Sequence, residues 1–166
     1  MSTHISFLKD AAIAASSAEL AKAAANTAVS LAKITETASK MTMESPTLEK
    51  AMEAALLSEA AARMTLASMG TALIAAKQIA ATSDEIAEEI SAMGKWPEDA
   101  DEAFKIVFAA MDAAQAATEM GDNATVFALD AAKQANAKVE QRISAERGTL
   151  EKGRAKLVRE REALQG

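Results

Sequence analysis

The sequence predicts an all-α protein, an elongated antiparallel bundle of about four long alanine-rich helices with coiled-coil-like packing. Composition, scarcity of breakers and spacing of apolar residues predict it. Of 166 residues, 43 are alanine, and alanine, glutamate, lysine, leucine and arginine make up 90. That share, about 54%, is typical of long helices and coiled coils. Only two prolines and six isolated glycines interrupt it. In the first helix, Ile13, Ser17, Leu20, Ala24, Thr27, Leu31, Ile34, Ala38 and Met41 recur at alternating steps of four and three, a heptad stripe.

The breakers divide the chain in order. Ser45-Pro46 reads as an N-cap followed by proline at the first helical position, so the first helix ends near Met43. The second runs from about Pro46 to Met93, its stripe including Leu66, Met69, Leu73, Ile79, Ile86 and Ile90. Thr82 and Glu85 have capping-box spacing, which leaves its continuity through Ser83 open. Gly94-Lys95-Trp96-Pro97 closes it and opens a third helix, whose first turn holds Glu98, Asp99, Asp101 and Glu102. Phe104, Val107, Phe108, Met111 and Ala114 share one face there, marking it as the best-buried element. Gly121-Asp122-Asn123 repeats the stop signal, so a fourth helix is expected from Ala124 toward Leu164. Its far half keeps only Ile143, Leu150, Leu157 and Leu164, seven apart. The companion positions Glu146, Gly153 and Glu160 are not apolar, so that seam is half-made.

Leucine, isoleucine, valine and phenylalanine together number only 30. Alanine withdraws little apolar area from water, at about 25 cal/mol per Å². Helices this long on so few large side chains are expected to need other copies of the chain. The net charge of -6 resolves into an acidic helical body, residues 1–137 at -9, and a mildly basic helical extension, residues 138–166 at +3, which holds five of the six arginines. The chain is read as one unit, with the extension as an interaction arm. The longest uncharged apolar stretch, Met64 to Ala76, has 13 residues, short of the ~20 a spanning helix needs. No basic segment followed by an apolar core opens the sequence, so the expected location is cytoplasmic, or exported without a cleaved signal peptide.

Site chemistry has little material. There is no cysteine, and the single histidine, His4, stands beside the N-terminus, which argues against a nucleophilic triad. No histidine follows a glutamate at the spacing of di-iron carboxylate bundles, and no glycine-rich phosphate loop occurs. Two carboxylate groups, Glu85/Glu88/Glu89 and Asp99/Asp101/Glu102, could attract a hard cation. Both read better as acidic first turns of helices, and cation binding stays open. Nucleic acid could use only Lys138, Arg142, Arg147, Lys152, Arg154, Lys156, Arg159 and Arg161, but five glutamates interleave with them and no aromatic does. The internal methionines, between Met41 and Met120, read as core filler before partner groove. Trp96 reads as a loop anchor or a contact residue.

The expectation is therefore a non-enzymatic structural or interaction protein, without metal or cofactor, that assembles with itself or docks on another helical protein. Ile143, Leu150, Leu157 and Leu164 would pack, and Arg147, Arg154, Arg159 and Arg161 would match charge on an acidic surface. The alternatives are a peripheral amphipathic coat on a lipid or hydrophobic granule surface, and a leaderless exported component of a secretion or toxin system.

Overall fold

The computed structural model describes residues 4–166, with side chains from Phe7 onward. The described residues form three helices and no strand: α1 (His4–Glu44), α2 (Leu48–Met93) and α3 (Ala100–Gln165), of 41, 46 and 66 residues. Short connections fold them up, down and up, and each packs on both others. At 1.5 Å per residue, α1 is about 60 Å long and α3 about 100 Å, so α3 outruns the other two.

Three helices replace the expected four because α3 runs straight through Gly121-Asp122-Asn123. Gly121 is buried, and a Cβ there would stand 2.8 Å from the Sδ of Met69, itself buried on α2. The glycine is a socket in a helix–helix contact rather than a helix stop, and Ala124 returns to the interface one turn later. α2 is likewise continuous through Ser83. The Thr82 hydroxyl donates to the Gln78 carbonyl, as a helical threonine does, instead of capping a new start. At the first turn the cap is Thr47, whose side chain accepts from the Lys50 N–H at 3.3 Å, while the Ser45 hydroxyl donates back to the Met41 carbonyl. Helix α2 therefore starts two residues later than the Ser45-Pro46 signal implies. Its other end matches the sequence: Gly94 takes a left-handed φ of 64° and donates its N–H to Ser91.

The helices bury their small residues. Along α1 the buried line is Phe7, Ala11, Ala14, Ala18, Ala21, Ala25, Ala28, Ala32, Thr35, Ser39 and Thr42, an unbroken alternation of four and three. From Ala14 on, each member lies one residue after a member of the expected stripe, a rotation of about 100° around the helix. Of that stripe, Ser17, Ala24 and Ala38 are buried on the flank, whereas Ile13, Leu20, Ile34 and Met41 are exposed. Helix α3 does the same through Ala100, Ala103, Val107, Ala110, Ala114, Ala117, Gly121, Ala124, Ala128, Ala131 and Ala135. Phe108 and Met111, placed with Val107 on one apolar face by the sequence, stand outside it. In α2, Ile79, Ile86 and Ile90 are buried as their spacing implies, but Leu66 and Leu73 are exposed.

Polar core residues are short hydroxyls that satisfy themselves. Thr35, Thr42, Thr65, Thr82 and Thr125 each donate to the carbonyl four residues back. Ser58 donates across to the Thr35 carbonyl at 3.2 Å and so sets the α1–α2 register. Large buried side chains gather at the end where α2 meets α3: Phe7, Ile79, Ile86, Ile90 and Val107 form one cluster with alanines. Toward the 45–47 turn the core thins to alanine, Ala28, Ala32, Ala62, Ala124, Ala128 and Ala132.

Candidate interaction surface

Interior and surface have exchanged their usual contents. Among the described residues, 26 of the 32 buried apolar residues are alanine, and 24 large apolar side chains are exposed. Monomeric soluble proteins seldom expose contiguous apolar patches beyond a few hundred Å². The methionines follow the pattern: Met69 is buried, but Met41, Met43, Met52, Met64, Met111 and Met120 face outward, which corrects their expected use as core filler.

The side chains are also segregated. The α1–α3 groove is lined from α1 by Val29 and Lys33 and from α3 by Met120 and Phe127. The α2–α3 groove is lined by Glu59, Arg63, Leu129 and Asn136. The remaining flanks of α1 and α2 therefore face each other. There Ser17, Ala24 and Ala38 of α1, with Ala54, Ala61 and Ala75 of α2, are buried. Beside that close contact Ile13, Leu20, Ile34 and Met41, with Leu57 and Met64 from α2, form an exposed apolar rim. Between Ala11 and Met43 no charge falls on this side of α1, because Glu19, Lys22, Lys33, Glu36 and Lys40 all lie on its other side. Two pairs among them, Glu19–Lys22 and Glu36–Lys40, join within the helix at 2.7 Å. The Glu36 hydrogen bond and charge hold the Lys40 ammonium above its usual pKa.

At the 45–47 turn the body ends. Ala135 is the last buried residue of α3; Lys138, Val139, Arg142 and Ile143 are half-buried, and the Arg142 guanidinium donates to the Thr47 carbonyl at 3.3 Å. Beyond Ile143 every residue except Gly148 is exposed. About 33 Å of helix thus projects past the bundle. It carries Leu150, Leu157 and Leu164 at 74, 68 and 88% exposure, with Arg147, Arg154, Arg159 and Arg161 also exposed. Val158, which the seven-residue spacing passes over, is a further exposed apolar residue on it.

The other candidates separate. Glu85, Glu88 and Glu89 lie within continuous α2 rather than at a helix start, and among the described residues no three His, Cys, Asp or Glu side chains converge as a metal site. Asp101 is engaged by the Trp96 indole N–H at 3.2 Å. The His4 side chain lies outside the described residues. Trp96 is both anchor and surface: it stacks on Phe104 at 5.5 Å, Phe104 stacks on Phe108 at 5.8 Å, and Trp96 remains 59% exposed.

No protein-family model matches the chain, and no characterised protein or solved structure is detectably similar to it. Among the described residues, no helix is long and apolar enough to cross a membrane.

Proposed function

We propose that the protein is a non-enzymatic structural or interaction module that assembles with copies of itself, its alanine interior holding the bundle and its outward aliphatic side chains making the assembly. The observation that carries this reading is the exposed apolar rim of Ile13, Leu20, Ile34, Met41, Leu57 and Met64, uncharged along its α1 side, beside a core of alanine. Burying a leucine or isoleucine is worth about 1.5–3 kcal/mol, several times an alanine methyl, so a substantial part of the available hydrophobic free energy remains outside the monomer. A second copy that packs on that rim releases it. Coiled-coil-like contacts fit such an assembly, since α1 carries two heptad lines side by side, one facing in and one facing out.

The same rim favours a second reading, a coat laid on a lipid or hydrophobic granule surface. The acidic body speaks against an anionic membrane, and interfacial helices ordinarily flank their apolar face with lysine and arginine. Light scattering with electron microscopy of one sample, beside flotation with neutral liposomes, tests both. Discrete oligomers or filaments with no flotation are expected. A single monomeric species that floats with liposomes favours the coat and rejects self-assembly.

A further inference from the structure

We infer that the projecting end of α3 pairs with the same segment of a second copy, in parallel and in register. The inference rests on the self-assembly reading and adds to it a second contact, apart from the rim. Among the described residues nothing covers the projection beyond Ile143, and the line Ile143, Leu150, Leu157, Leu164 returns to one face every seven residues. The flanks of that line differ in charge. Glu146, Gly153 and Glu160 follow its members by three residues and lie about 50° to one side. Arg147, Arg154 and Arg161 follow by four and lie about 50° to the other.

This arrangement decides orientation. In a parallel pair each flank meets the opposite flank of its neighbour, whereas in an antiparallel pair each flank meets its own kind. Parallel pairing sets Glu146 beside Arg147 of the second copy and Glu160 beside Arg161, once on each side of the leucine line. Gly153 leaves space for the stem of Arg154. Antiparallel pairing sets arginines against arginines along one edge and glutamates against glutamates along the other, which like-charge repulsion disfavours. The glutamates that break the apolar seam thus become the device that selects a parallel partner. Arg159 falls on the far side of the helix from the leucines and donates to its own Ala155 carbonyl at 3.3 Å, so it stays outside the contact. Glu160 reaches Lys156 of its own helix at 3.8 Å, an exposed pair that competes weakly.

The chain has no cysteine, so Gln165→Cys gives one labelling site on the full-length protein. Electron–electron double resonance between spin labels there should read under about 20 Å in the parallel pair. An antiparallel pair centred between Gly153 and Arg154 would separate the labels by about 35 Å at 1.5 Å per residue. The charge reversal Glu146→Arg/Glu160→Arg makes both flanks basic. It should remove the short distance and weaken association at least tenfold, and mixing with Arg147→Glu/Arg161→Glu should restore the short distance. Self-association with a long distance, or unaffected by the charge reversal, overturns the parallel pairing and leaves self-assembly standing. A chain that stays monomeric at every concentration overturns both.

Discussion

Charge positions, more than apolar size, fix how each helix faces. In α3, Lys105, Asp112, Glu119 and Lys133 fall seven or fourteen residues apart, and the alanine seam from Ala103 to Ala135 lies opposite them. That frame was legible in the sequence. In α1 the largest residues misled, because Ile13, Leu20, Ile34 and Met41 form the more conspicuous heptad line while the true seam lies one residue later, in alanine. The uncharged arc of α1 is wider than two neighbouring helices can cover, so sequence shows the arc and only packing shows which half is inside. Size contrasts should follow. Ile34→Ala, on the rim, is expected to cost under about 0.5 kcal/mol of bundle stability, whereas Ala28→Leu, at a closed seam position, should cost about 1–3 kcal/mol from overpacking, both read by urea unfolding at concentrations too low for association. Gly121 tests the socket. In a Met69→Ala background, Gly121→Ala should gain about 1 kcal/mol of helix propensity, and with Met69 present that gain should vanish or reverse. Equal effects in both backgrounds would show that Met69 and Gly121 do not interact.

At the scale of the element, stops and starts depend on context that a single segment does not contain. Gly94 ends a helix in a left-handed φ of 64°, where the chain turns into Trp96 and Pro97. Gly121 stays helical and leaves Met69 the space a side chain would fill. Thr82 and Ser45 have capping chemistry, yet both return their hydroxyls to carbonyls four residues back. The half-made seam after Ile143 was legible, and the structure adds that neither α1 nor α2 extends along it. Deleting residues 144–166 should therefore leave the melting midpoint of the body within about 2 °C, since about 1 kcal/mol moves the midpoint of a protein of this size by about 2–4 °C. A drop of 10 °C, measured by circular dichroism at 222 nm, would mean that the projection folds back on the bundle.

Over the whole molecule, the division into interior and surface explains the composition. Alanine lets three helices approach closely and lets threonine and serine sit in the core with their hydroxyls satisfied, but it withdraws little apolar area per residue. Most of the larger side chains stay outside that interior: among the described residues 24 large apolar side chains are exposed and six are buried. The acidic body and basic projection also acquire a place: the charge division at about residue 138 falls where α3 leaves the bundle. Which surface meets which partner was not legible in the sequence, because a heptad line looks the same whether it faces in or out. The most direct test is sedimentation equilibrium of the full chain beside Leu20→Gln/Ile34→Gln/Leu57→Gln, three rim residues that the fold does not bury. The natural chain should run at a multiple of its 17.3 kDa mass and the triple variant, with unchanged helicity, should shift to a smaller assembly, no larger than the pair its intact projection can form. A natural chain at 17.3 kDa across the concentration range, or a variant that assembles equally well, would contradict the account.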